Sequence, residues 1–82
     1  MSAFAEFQAY KEKQGCVDCK VKYPHYILEF DHRPGKKKID VVHRVLKKFG
    51  REAAWEEARK CDIVCANCHK QRTYERSQDD TR

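Results

Sequence analysis

Apolar residues recur along the chain at intervals that switch between helical and extended. Phe4, Phe7 and Tyr10 stand three apart, with Lys11 beside them, and this spacing predicts a helix over residues 2–14. Ser2 is placed to cap it and Gly15 to end it. Phe4 and Phe7 are expected in the core rather than as a platform for stacked bases. Tyr23-Pro24-His25 interrupts any helix, and residues 26–30 then read as a short strand with Tyr26, Leu28 and Phe30 on one face and Ile27 and Glu29 on the other. The strand delivers Asp31-His32 at its end, and Arg33-Pro34-Gly35 is turn chemistry. Asp40 can cap a second helix over residues 41–49, with Val41, Val42, Val45, Leu46 and Phe49 as its apolar face and Gly50 at its end. A third helix follows over residues 51–60, with Ala54, Trp55 and Ala58 inward and Glu52, Glu56 and Glu57 outward. Residues 61–64 read as a second strand. A last helix starts within residues 65–68 and runs to about Arg76, carrying Lys70, Arg72 and Arg76 on its polar side. Residues 77–82 have no apolar anchor and are expected to fray.

The pattern describes a small α+β protein in one domain, residues 1–82: an N-terminal helix (1–15), a core (16–76) with a helical insertion (40–60), and a short tail. At 82 residues, with 40% apolar and 38% charged, the chain can bury only a modest core, and domains of this size usually carry a staple. Residues 1–13 are charged and lack the apolar segment of a signal peptide, and there is no apolar run of the roughly 18 residues that would span a membrane. A cytoplasmic, reduced protein is the expectation. The formal net charge of +5, from 18 basic and 13 acidic residues, points to an anionic partner, nucleic acid first, or to no more than a solvated surface.

Five cysteines change the picture. Cys16-Val17-Asp18-Cys19 and Cys65-Ala66-Asn67-Cys68 are two Cys-x-x-Cys pairs, each suited to a tight turn whose amides point at the sulfurs. In a reduced compartment four such thiolates suit a tetrahedral structural zinc better than disulfides, and the odd total points the same way. The alternative is four buried thiols. Zinc-bound, the cluster carries −2 and lowers the net charge to about +3. Cys61 reads as a small buried apolar residue outside the set. Asp31, His32 and His69 offer a different chemistry. Carboxylate oxygen and imidazole suit a hard divalent ion with room for a phosphate oxygen. On a strand Asp31 and His32 point to opposite sides, and His69 directly follows a cysteine of the cluster. Each of the histidines alone is more often an ordinary surface or hydrogen-bonding residue. The run Lys36, Lys37, Lys38 is either a solvated loop or a phosphate contact, and beside such a centre the contact is favoured.

Phe30-Asp31-His32, the lysine run, and residues 60–73 (Lys60-Cys61-Asp62-Ile63-Val64-Cys65-Ala66-Asn67-Cys68-His69-Lys70-Gln71-Arg72-Thr73) together resemble the HNH endonuclease family, most of all its small zinc-containing members common in phage genomes. The resemblance covers Cys16 to about Thr73. It implies a ββα-metal (His-Me finger) motif formed by strands 26–30 and 62–64 and helix 67–76, with extra helices and a structural zinc on Cys16, Cys19, Cys65 and Cys68. It implies His32 as the general base and Asp31 and His69 as ligands of a catalytic Mg²⁺, Mn²⁺ or Ni²⁺. The family's middle asparagine has no counterpart, because Asn67 is the only asparagine and lies inside the cysteine knuckle. Asp40 is the stand-in expected to orient His32, unless it serves only as a helix cap, with His43 a weaker candidate.

The reading that follows is an endonuclease that nicks or cuts double-stranded DNA with little sequence preference, contacting the backbone through Lys36, Lys37, Lys38, Lys70 and Arg72. It would act as a monomer or weak dimer, in the host cytoplasm if phage-encoded, and in company with a terminase if it is a packaging accessory. The alternative is a non-catalytic zinc module that binds nucleic acid or protein and needs only the four cysteines.

Overall fold

The computed structural model describes residues 2–80. Its elements are α1 (Ala3–Gln14), a single 3-10 turn (His25–Ile27), β1 (Leu28–His32), α2 (Val42–Phe49), α3 (Arg51–Ala58), β2 (Cys61–Cys65) and α4 (Ala66–Asp80). Among the described residues no helix is long and apolar enough to cross a membrane.

The ends of α1 follow the sequence. Ser2 Oγ accepts the Ala5 N–H at 3.1 Å, and Gly15 closes the helix at φ 71°, donating its N–H to Lys11 O. A side chain at Gly15 would also meet the 21–22 backbone, since a Cβ there falls 3.1 Å from Val21 O. Phe7 is buried against Trp55, with ring centroids 4.2 Å apart. Phe4, expected inside, is 48% exposed and stands edge-on to the His43 ring. α1 buries a narrow stripe, and Phe4 lies in its first turn beyond the reach of the sheet.

β1 and β2 form a two-stranded antiparallel sheet pairing Leu28 with Cys65, Phe30 with Ile63, Asp31 with Asp62 and His32 with Cys61. The strand starts two residues later than the alternation suggests. After Pro24, residues 25–27 take up the 3-10 turn, and Leu28 is the first residue with a partner across the sheet. Tyr26 is consequently exposed. Glu29 and Asp31 reach side chains of α4, while Phe30 and His32 reach α1 and α3 on the other side.

The core is in two parts. Phe7, Val42, Val45, Ala54, Ala58 and Cys61 join the helices; Cys16, Leu28, Ile63, Val64 and Cys65 join the sheet to the first cysteine turn. Phe30 packs against both. Val42 and Val45 of α2 are buried as expected, but Val41, which precedes the helix, and Phe49, its last residue, are exposed. Asp40 does not cap α2: its Oδ1 accepts the adjacent Val41 N–H at 2.8 Å, and Val41 occupies the cap position. Glu57, expected outward, is buried. α4 continues four residues past Arg76 to Asp80, so most of the tail expected to fray is helical; Thr81 and Arg82 lie outside the described residues.

Candidate functional site

Cys16 and Cys19 lie on the turn after Gly15, Cys65 ends β2 and Cys68 lies in the first turn of α4. Their four Sγ atoms are all within 4.8 Å of one another, and they are the one group of three or more metal-capable side chains among the described residues. A tetrahedral zinc with thiolates at about 2.3 Å would space the sulfurs about 3.8 Å apart, so the donor set and its geometry suit such an ion. Backbone amides point at the sulfurs in each knuckle: Cys19 N–H to Cys16 Sγ at 3.5 Å and Cys68 N–H to Cys65 Sγ at 3.4 Å. Burial raises the Cys16 pKa, but the Cys19, Cys65 and Asp18 amides outweigh it and bring the thiol down to about 6. Cys68, hydrogen-bonded to Cys65, is pushed up to about 12. Four thiolates sharing one small volume repel one another, and a divalent cation that displaces their protons would offset that repulsion. Cys61 stands apart in the helical core, its Sγ near Glu57 O at 3.5 Å and its pKa raised by burial to about 11.

The α4 side of β1 gathers Glu29, Asp31, His69, Arg72 and Arg76. His69 Nδ1 is 2.5 Å from Glu29 Oε1, and Nε2 is 3.4 Å from Asp31 Oδ1. Asp31, 4% exposed, also accepts from Arg72 NH1 at 2.7 Å and from both Arg76 terminal nitrogens at 2.9 Å. Burial alone would raise its pKa; the two guanidinium groups more than reverse this and hold it below the usual value. Asp31 and Asp62 face each other across the sheet, a like-charge pairing that opposes strand association. Arg72 NH1 bridges the two at 2.7 and 3.1 Å, and Nε and NH2 grip Asp18 of the first cysteine turn at 2.7 Å each. Arg72, expected as a phosphate contact, is thus paired with three carboxylates of the chain itself.

His32 lies on the opposite side of β1. Its Nε2 is 2.8 Å from Glu57 Oε2. Glu57 is 1% exposed, and its other partners are Ile39 N–H at 3.0 Å and Lys60 Nζ at 2.8 Å. Burial raises the Glu57 pKa, yet the bonds from Lys60, Ile39 and His32 win and lower it to about 2, so the carboxylate is ionised. Asp40 shares no hydrogen bond with His32 among the described residues. It binds Val41 N–H and faces Arg44 at 3.6 Å. His43 is exposed against Phe4. Asp31 and His69 are thus brought together, while His32 shares a hydrogen bond with neither among the described residues.

Glu57 is the residue that reading the chain misses. A signal for it is present in the sequence: Ala54, Glu57 and Ala58 stand at i, i+3 and i+4, the stripe that α3 buries. Of the cationic residues, Lys36, Lys37, Lys38 and Lys70 are exposed, and the lysine loop is tied down by Lys60 Nζ donating to Lys37 O at 2.9 Å. Comparison with known proteins returned no matching family model, curated protein or solved structure.

Proposed function

We propose that the chain is an HNH-type endonuclease of ββα-metal architecture that hydrolyses phosphodiester bonds of double-stranded DNA. The observation that carries this reading is the His32–Glu57 pair. An imidazole whose Nε2–H is donated to a buried carboxylate keeps its lone pair on Nδ1, as a general base requires. In this reading Nδ1 takes the proton of a water whose oxygen bonds to phosphorus. The bond from phosphorus to the 3′ oxygen breaks, and solvent protonates that oxygen. Glu57 offsets the charge that develops on the ring.

Asp31 and His69 are the ligands assigned to the catalytic Mg²⁺, Mn²⁺ or Ni²⁺, with water and phosphate oxygen completing its shell. The 3.4 Å between Oδ1 and Nε2 supports this, as does the Nδ1 contact to Glu29, the usual orientation of a metal-binding histidine. When bound, such an ion stabilises charge on the phosphate and the departing oxygen. Arg76, 39% exposed, has room to release Oδ1. Lys36, Lys37, Lys38 and Lys70 serve as backbone contacts.

One observation favours a second reading. Both Asp31 oxygens are already held by arginines, as they would be in a zinc-braced binding module with no catalytic ion. Plasmid nicking separates the two. The zinc-loaded protein, stripped only of loosely held ions, is expected to nick supercoiled DNA on addition of at least one of Mg²⁺, Mn²⁺ and Ni²⁺. Binding without nicking under every ion would leave the module reading in its place.

A further inference from the structure

We propose that Glu57 is the positioning residue that replaces the family's missing asparagine: it fixes the His32 tautomer and so leaves Nδ1 free as the base. The inference rests on the nuclease reading for its consequence and on geometry for its substance. A carboxylate at 1% exposure is costly unless both of its oxygens are hydrogen-bonded. Glu57 meets that condition with groups from three separate parts of the chain. Oε2 accepts from His32 of β1 at 2.8 Å and from Ile39 N–H at 3.0 Å, and Oε1 accepts from Lys60 Nζ at 2.8 Å. Lys60 also donates to Lys37 O at 2.9 Å. The segment between the turn at Gly35 and α2 is thus pinned at Lys37 and Ile39, on either side of Lys38.

The chemistry is that of a carboxylate behind a histidine. An ionised Glu57 can only accept, so the neutral ring must place its proton on Nε2 and leave Nδ1 free. A glutamine has the same shape but not the same capacity. With its oxygen toward His32 its amide meets the Lys60 ammonium, donor against donor; turned over, it donates toward Nε2 and moves the ring proton to Nδ1. In neither orientation can it balance an imidazolium.

The test has two arms on the zinc-loaded protein. In the first, ¹⁵N NMR without DNA or divalent ion reads the neutral His32 ring at pH 8. The wild type is expected to carry its proton on Nε2, and a proton on Nδ1 overturns the proposal before any variant is made. In the second, Glu57→Gln is compared with Glu56→Gln, whose side chain is on the exposed face of α3. Glu57→Gln is expected to lower kcat for nicking on the order of 10²-fold with KM changed less than about threefold, and Glu56→Gln to change neither. A loss confined to KM, or no loss, overturns the proposal. If the wild type nicks under no ion, the nuclease reading fails and the tautomer alone decides whether Glu57 orients His32.

Discussion

Single residues here take roles that their type does not announce. Arg72 looks like a nucleic-acid contact, yet its guanidinium bridges Asp31 and Asp62, which face each other across the sheet. Arg72→Ala should therefore cost roughly 3 kcal/mol, the lower end of the range for breaking a buried ion pair, because Arg72 and Asp62 keep some contact with solvent. Urea unfolding at pH 7 would read this, and adding Asp62→Asn should recover part of the loss. Equal stability of wild type and Arg72→Ala would mean that the arginine does not hold the sheet together. Glu57 gives a pH signature. Its pKa is lowered from 4.5 to about 2, so its contribution is fully present above pH 4.5 and is lost as pH falls toward 2. Below pH 4.5 the stability gap between wild type and Glu57→Gln should shrink as the carboxylate takes up a proton; a gap that widens between pH 4.5 and about 2 contradicts the assignment of charge.

At the scale of elements, the chain is most legible where local chemistry decides. Ser2 and Gly15 mark the ends of α1, and Gly50 the boundary between α2 and α3, because caps and positive φ are written in single residues. Gly15→Ala is expected to cost about 1–2 kcal/mol, since it meets both the left-handed backbone and the Val21 carbonyl; an unchanged melting temperature would count against that close approach. β1 is less legible. Its start depends on where a partner strand ends, and periodicity carries no information about Cys65. The same limit hides Glu57. Two adjacent glutamates on α3 differ only in which one faces β1, and that is settled by how α3 lies against the sheet. The exposure of Phe4 and of Phe49, 64%, has the same origin: both lie at helix ends, away from the residues that pack on the core.

For the whole molecule, the question is what joins two small clusters into one stable fold. A modest core split between helices and sheet is close to the size at which folding needs a brace. A metal held by the four cysteines would supply it, tying the turn after α1 to the junction of β2 and α4. Metal analysis should find one tightly held zinc per chain, and strong chelation or Cys68→Ser should unfold the protein. A folded, zinc-free chain would contradict this. The cysteine spacing makes the cluster legible in the sequence, whereas the catalytic reading draws on resemblance, and order along the chain offers Asp40 where the fold puts Glu57 behind His32. The lysine loop belongs to this scale too. Replacing Lys36, Lys37 and Lys38 by alanine should weaken duplex binding and flatten its dependence on salt, by roughly one unit of log–log slope for each phosphate no longer neutralised. Arg72 substitutions should leave that slope unchanged.

All of these features serve one claim, that a braced scaffold presents His32 as a general base to a phosphodiester. The most direct measurement is the nicking rate of supercoiled plasmid by zinc-loaded wild type and His32→Ala, side by side, in the divalent ion that supports the highest rate. His32→Ala is expected to lose on the order of 10²-fold or more in rate, with zinc content and fold retained. Equal rates for the two proteins, or no nicking by the wild type with any ion, would overturn the claim.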